Sequence, residues 1–377
     1  MGEKNESKFA ERIFHFFYSM KITLKPIFKF FFFVLLFSFL SCRKDEEMIA
    51  EITNSGPHPY NLTIPGGFFP MPIPPTNPLT QEGVFLGRKL FYDPILSLDS
   101  SQSCASCHRQ NFSFTDSTLL YSMGVNGVSG TRNAMPLFNL GWTTNGFFWD
   151  GGASNLESQV ADPITNPIEM HETLANVVFK LQRNSEYPPL FEAAFGNAQI
   201  SSAMILKAIA QFERTLISGN SRFDKWYRGE IGGFLTTQEM NGMNLFTNMQ
   251  KGDCQHCHPL GNTFTDFQFR NTGLDSIAQD SGRYRITYLQ SDIGKFKTPS
   301  LRNIEFTSPY MHDGRFSTLE EVIDHYNSNF KYPVNLDPAL AHIPKNRLSN
   351  QEKSDIVAFL KTLSDFEFLT NPAHHKP

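Results

Sequence analysis

Apolar positions recur at helical spacing over SSAMILKAIAQFERTLIS (201–218), a pattern that predicts an amphipathic helix. Two further stretches carry their own start signals. In LTTQEMNGMNLFTNM, Thr236 precedes Glu239 by three positions, and in LSNQEKSDIVAFLKTLSD, Ser349 precedes Glu352 in the same way. Each pair reads as a capping box that opens a helix. Ile356, Phe359, Leu360 and Leu363 then fall on one face of the last of these helices. Alternating strand patterns are scarce. The expectation is a mostly α-helical chain with long irregular connections.

The N-terminal pattern is different. From Met20 to Cys42 the chain reads MKITLKPIFKFFFFVLLFSFLSC, a lysine-bearing start followed by an apolar stretch. The run from Phe31 to Leu40 is too short to span a bilayer comfortably. The segment resembles a bacterial lipoprotein signal, which implies lipidation of Cys42, although Phe39 stands where such signals usually have leucine. An ordinary secretory signal is the alternative. Either way the chain is expected to be exported. Residues 43–78, charged at first and then rich in Pro and Gly, read as an extended tether, with ordered sequence from about Leu79.

Beyond the tether the chain repeats itself. SCASCH (103–108) and DCQHCH (253–258) are 150 positions apart, and each is followed by Phe-Thr-Asp (Phe114–Asp116 and Phe264–Asp266). TRNAMPLFN (131–139) is echoed by TPSLRNIEF (298–306), and WDGGASNLE (149–157) by HDGRFSTLE (312–320). The order of these matches predicts two diverged copies of one helical unit, over 79–225 and 226–369, with a short tail over 370–377.

Composition adds two points. With 377 residues and a formal net charge of −4, the chain offers no basic field for nucleic acid. Four of its five cysteines lie in the two Cys-x-x-Cys-His motifs. In an exported protein that motif reads as c-type haem attachment: the thiols Cys104 and Cys107, or Cys254 and Cys257, bond the porphyrin, and His108 or His258 ligates iron. Zinc ribbons use shorter spacing and need no histidine at a fixed offset. A redox dithiol lacks its usual βαβ context. His256, inside the second motif, reads as incidental.

LGRKLFYDPILS, SCASCH, GTRNAMPLFNL, FFWDGG, NPIEM, GDCQHCH, KTPSLRN, PYMHDGRFSTLEEV and LSNQEKSDIVAFLKTL together resemble the bacterial dihaem cytochrome c peroxidase family, including MauG-like enzymes. The resemblance covers about 79–365. It implies two cytochrome c-like helical domains, each carrying one covalently attached haem. The first haem would meet hydrogen peroxide; the second would relay electrons from a small cytochrome or another redox protein. Carried over by motif, Trp149 lies between the haems, and Gln159, Pro163 and Glu169 fall on the distal side of the first. Asn133, with the backbone carbonyls near Lys297 and Pro299, matches an inter-domain calcium site. The implied setting is the periplasm, lipid-anchored at Cys42, with the cell surface as the other option because of the acidic residues after it.

A buried carboxylate such as Glu169 could move a proton between the two oxygens of peroxide, and Gln159 could position them. Two positions depart from the common family pattern. Where many relatives have a distal histidine on the first haem, this chain has Val125, with Met123 and Asn126 nearby at the wrong offset. On the second haem the usual methionine is replaced by Tyr326, with His325 and Met311 as competitors. The repeat supports Tyr326 independently: it lies as far beyond His312 as Pro163 lies beyond Trp149. Both departures point toward MauG-like enzymes. A MauG-like oxidase and a plain dihaem electron carrier are the alternative functions.

Overall fold

The computed structural model of the protein describes residues 56–116 and 119–377. The expected lipidation site Cys42, the apolar stretch 31–40 and the first part of the tether lie outside these residues. The principal helices are α1 (Gln81–Tyr92), α2 (Leu156–Thr165), α3 (Ser202–Thr215), α4 (Thr237–Thr247), α5 (Leu319–Asp324) and α6 (Asn350–Lys361). The capping boxes expected at Thr236 and Ser349 both form, and further ones open α2 at Asn155 and α5 at Thr318. Among the described residues, sheet structure is confined to β1 (Phe269–Arg270) and β2 (Phe296–Lys297), paired antiparallel with Phe269 opposite Lys297.

The two copies pack by the same device. α1 lies against α3 where Gly87 lets the backbones meet; a Cβ there would stand 1.9 Å from the Ala208 carbonyl oxygen. α4 lies against α6 at Gly242, where a Cβ would stand 1.9 Å from the Asp355 carbonyl oxygen. Around each crossing sits an aromatic cluster. Phe91 and Phe212 meet edge-on at 5.2 Å in the first copy, and Phe246 and Phe359 meet edge-on at 5.2 Å in the second. Phe114 and Phe264, the first residues of the repeated Phe-Thr-Asp, are fully buried in these clusters.

The copies also exchange backbone hydrogen bonds. Asn133 donates its N–H to the His312 carbonyl at 2.7 Å, and Lys297 donates to the Trp149 carbonyl at 2.8 Å. Asn133 and Lys297 are matching positions of the repeat, as are Trp149 and His312, so the two bonds are related by an approximate two-fold exchange. Asn139 and Asn303 both take left-handed backbone, φ 56° and 55°, at the same turn of the two copies.

One expectation about the N-terminal region is corrected. Residues 56–78 were expected to be tether, yet they form a strap laid along the helical body. Trp142 donates its indole N–H to the Phe69 carbonyl at 2.9 Å, Phe68 packs on Trp142, and the Arg302 guanidinium stands 4.7 Å from the Phe68 ring. Pro and Gly keep this segment out of helices, but Met71 is buried and Phe68 half-buried against the body, a gain by burial that holds the strap. Among the described residues, no helix is long and apolar enough to cross a membrane.

Candidate functional site

Each Cys-x-x-Cys-His motif opens onto its own cavity. The first is lined by Cys104, Cys107, His108, Met123, Gln159, Pro163, Glu169 and Glu213; the second by Cys254, Cys257, His258, Met311, His312, Val322, Tyr326 and Leu360. The two cysteine pairs thus do not converge, and among the described residues no group of three or more His, Cys, Asp or Glu is placed to hold a metal ion. A zinc site built from both motifs is ruled out by that separation.

The two motif histidines are held in the same way. His108 donates its Nδ1–H to the Phe114 carbonyl at 2.8 Å, and His258 donates to the Phe264 carbonyl at 3.0 Å. A carbonyl only accepts, so in each ring Nδ1 carries the proton and Nε2 keeps its lone pair. Burial holds both imidazoles below their ordinary range, His258 down to about 4, so they stay neutral. The Phe-Thr-Asp repeat therefore has a local purpose. Its Phe carbonyl orients the histidine ring, and its Thr hydroxyl ties the turn to the following segment: Thr115 donates to the Ala134 carbonyl at 2.6 Å and Thr265 to the Thr298 carbonyl at 2.7 Å.

Burial raises all four motif thiols, Cys254 and Cys257 to about 12. They are neutral thiols with no disulfide between them. Paired thiols beside an oriented imidazole suit haem, whose vinyl groups and iron need those two functions.

The first cavity is polar above His108. α2 opens at the Asn155 cap and carries Gln159 and Pro163 onto the wall. Gln159 is buried, and its Oε1 has no hydrogen-bond partner among the described residues. Glu169 follows α2 on a turn and accepts from Asn166 Nδ2 at 2.7 Å. Burial raises its carboxyl above the usual range, Asp162 adds to this, and the Asn166 bond opposes it. Gly124 packs so closely under Ile168 and Glu169 that a Cβ would clash with the Ile168 carbonyl at 2.3 Å. The next residue, Val125, donates its N–H to the Glu169 carbonyl at 2.9 Å, and its side chain is not part of the cavity wall. Asn126 is engaged by His171 at 2.6 Å on the exposed side, whereas Met123 does reach the wall.

Sequence reasoning missed one group here. Glu213, on α3, is 3% exposed, and its Oε2 has no hydrogen-bond partner among the described residues. Burial pushes its carboxyl up to about 8, opposed by Arg214 and assisted by Glu157. Arg214 is itself committed to a two-bond pair with Glu157, at 2.9 and 3.1 Å. Aligning the copies through their helices would have exposed Glu213: Ile209 and Glu213 on α3 occupy the places of Ile356 and Leu360 on α6, and all four line cavities.

In the second cavity α5 ends in a widened turn, His325–Asn329, closed by the Phe330 N–H on the His325 carbonyl at 3.0 Å. Such one-residue expansions of a helix recur at functional sites. This one separates the ligand candidates. His325 turns away, donating Nε2–H to the Thr272 carbonyl at 3.0 Å, and does not line the cavity. Tyr326 lines it, as does Met311. Burial raises the Tyr326 phenol, Cys257 adds to this, and the Thr272 side chain opposes it. Arg347 steadies the turn by donating to the Tyr326 carbonyl at 2.9 Å. His256 is exposed, as its incidental reading anticipates.

Asn133, Ala134, Pro136, Trp149 and Lys297 line both cavities. Trp149 is held there by its indole N–H on the Asn133 carbonyl at 2.9 Å. Asn133 donates its side-chain amide to the Leu119 and Leu120 carbonyls at 3.2 and 3.3 Å.

The sequence model of the family described as di-haem cytochrome c peroxidase matches residues 81–232. The chain is 37% identical over 298 residues to methylamine utilization protein MauG of Methylophilus methylotrophus, covering 78% of this chain and 85% of that protein. It is 36% identical over 305 residues to cytochrome c551 peroxidase of Nitrosomonas europaea, covering 78% and 84%. A solved MauG-like protein associated with microbial copper homeostasis superposes with a TM-score of 0.78 at 35% identity, over 84% of this chain and 99% of that one. The diheme peroxidase BthA of Burkholderia thailandensis shares the fold, with a TM-score of 0.68 at 22% identity over 85% of this chain and 98% of that one.

Proposed function

The chain belongs to the di-haem cytochrome c peroxidase family, haem-dependent oxidoreductases with two cytochrome c-like helical domains, and from that premise we propose that it reduces hydrogen peroxide to water at the first cavity while the second relays electrons from a small redox protein. Covalent attachment through Cys104 and Cys107, and through Cys254 and Cys257, with His108 and His258 as ligands, is part of the proposal. When bound, the haems supply redox-active iron and storage for oxidising equivalents.

The observation that carries this reading is the polar wall of the first cavity. Pro163 brings no donor atom, which leaves that face open to a small substrate. Gln159 Oε1, buried and unpartnered, accepts a hydrogen bond from peroxide or from a water that holds it. Glu169, with its proton affinity raised by burial, takes a proton from one peroxide oxygen and returns it to the departing one. Trp149 lies where both cavities meet and is the route for sharing oxidising equivalents. Tyr326 lines the corresponding face of the second cavity, where its phenol oxygen would ligate that haem on giving up its proton to the iron's charge.

A MauG-like oxidase of a protein or small molecule is the second reading; Tyr326 and the 37% identity to a MauG protein favour it. A plain electron carrier would need both faces filled, which Pro163 and Glu169 oppose. A calcium ion at Asn133, with the Lys297 and Pro299 carbonyls, would have neutral oxygen donors and the Lys297 ammonium in the same wall, so no step is routed through it. From the sequence of the N-terminal segment, we place the protein in the periplasm, lipid-anchored at Cys42.

Two measurements test the proposal. Mass spectrometry of the matured protein should show two added haems, and Cys104→Ala should leave one. Peroxide should then react with the fully oxidised protein, with no prior one-electron reduction, because Val125 supplies no ligand to expel. Inertness until half-reduction would refute the open first face.

A further inference from the structure

The wall shared by the two cavities contains one charge. Of its five residues, Lys297 alone is ionisable, and it is 5% exposed. An ammonium offers three donors. Among the described residues a single hydrogen bond engages it, to the Gly146 carbonyl at 2.9 Å, and its contact with the Phe147 ring is distant at 5.7 Å. The nearest acid by influence, Asp150, is already held by Arg132 at 2.5 Å and by the Gly152 N–H at 3.0 Å. Among the described residues, no carboxylate forms an ion pair with Lys297.

A buried cation without an anion is costly, and proteins pair such charges or neutralise them. Burial does draw Lys297 down, to about 8, with Asp150 opposing, so near neutrality the ammonium form still prevails. Its position is fixed rather than accidental. The Lys297 N–H is locked to the Trp149 carbonyl, and β2 pairs Lys297 with Phe269. The matching residue of the first copy, Asn133, makes the reciprocal backbone bond but carries no charge. The missing anion must therefore come from what enters the cavities.

We propose that Lys297 is the shared anchor for the carboxylate side chains of the cofactors, pairing with propionates of both haems at the wall where the cavities meet. The inference rests on the same two haem cavities as the proposed function. Its physical consequence is on potential: a fixed positive charge beside both cofactors favours their reduced forms. Removing it lowers both potentials together.

The test uses the fully matured chain. Lys297→Gln keeps a donor for the Gly146 carbonyl and removes the charge; Lys297→Arg keeps the charge. Spectroelectrochemical titration of each haem, with iron content and circular dichroism as controls, should show both potentials of Lys297→Gln falling. The expected size is about tenfold in the ferric–ferrous equilibrium, roughly 59 mV for one electron. Lys297→Arg should stay near the parent. If neither Gln nor Met is tolerated at 297 but Arg loads both haems, the requirement for charge is supported through assembly. Unchanged potentials in a folded, two-haem Lys297→Gln protein would overturn the proposal. A shift at one haem alone would overturn the shared role. A parent protein without two haems would instead defeat the functional reading beneath it.

Discussion

The two cavities are built by the same elements and differ at a few wall positions. On the helix above the motif histidine, the first copy places Gln159 and Pro163 where the second places Val322 and Tyr326. On the helix beside it, the first has Glu213 where the second has Leu360. Gln159 and Glu213 make the first wall polar where the second has Val322 and Leu360, and the second presents the Tyr326 phenol where the first has Pro163. The setting of the motif histidine is held constant, with a Phe carbonyl on each ring at 2.8 and 3.0 Å, so the difference isolates what the opposite wall contributes. A wall with such polar groups suits proton transfer to a small oxidant, and one that presents a ligand oxygen suits storage of an electron or a hole.

Glu169 offers the largest test of that contrast. Glu169→Gln preserves volume and the contact with Asn166 but removes the group that can carry a proton. Positioned acid–base help is worth about 10²–10⁴-fold. The rate of oxidation of the resting protein by peroxide, followed by stopped-flow absorbance, should fall by that order while both haems are retained. An unchanged rate would mean that the polar wall does not distinguish the first cavity chemically.

Tyr326 tests the other side. An anionic oxygen ligand stabilises ferric iron, whereas a thioether stabilises ferrous iron, and axial ligands span about 0.8 V across haem proteins. Tyr326→Met should raise the potential of the second haem by on the order of a hundredfold in its equilibrium, about 120 mV at 59 mV per tenfold. It should also shorten the lifetime of the two-equivalent oxidised protein. If Tyr326→Phe leaves the spectrum of the second haem untouched, Met311 becomes the candidate, since His325 is committed to Thr272.

Much of this was legible in the chain because it lies in local signals. Capping boxes at Thr236 and Ser349, the paired Cys-x-x-Cys-His motifs and the echo of WDGG in HDGR depend on neighbours a few residues away. The repeat favoured Tyr326 and left His325 and Met311 as competitors; it is the widened turn at His325 that keeps His325 off a wall that takes Tyr326 and Met311. The rest depends on burial, which spacing does not report. Lys297 and Glu213 look like solvated charges in one dimension and become isolated ones only when distant helices close over them. The strap over 56–78 was unreadable for the same reason. Pro and Gly show that it is extended, but nothing local shows that Phe68 and Phe69 find Trp142.

Glu213 gives the smallest effect and the most direct way to erase one difference between the cavities. Glu213→Leu gives the first cavity the residue of the second. In the parent, a buried oxygen without a protein partner costs about 1–3 kcal/mol, which the substitution should return as stability if the wall repacks around leucine. The sign of the pH dependence follows from the raised carboxyl. Its ordinary value is 4.5 and the folded chain holds it near 8, so between those limits the folded state keeps a proton that the unfolded state releases. The stability associated with that proton is fully present below about pH 4.5 and is lost as pH rises through 8. The Arg214 and Glu157 charges act on the same carboxyl, but they are common to parent and variant, so the difference between the two isolates Glu213. Thermal unfolding of the two-haem protein at pH 5, 6.5 and 8 should show the advantage of Glu213→Leu growing with pH. A difference independent of pH would show that Glu213 titrates at its ordinary value, by contact with water or with a cofactor group that keeps it charged.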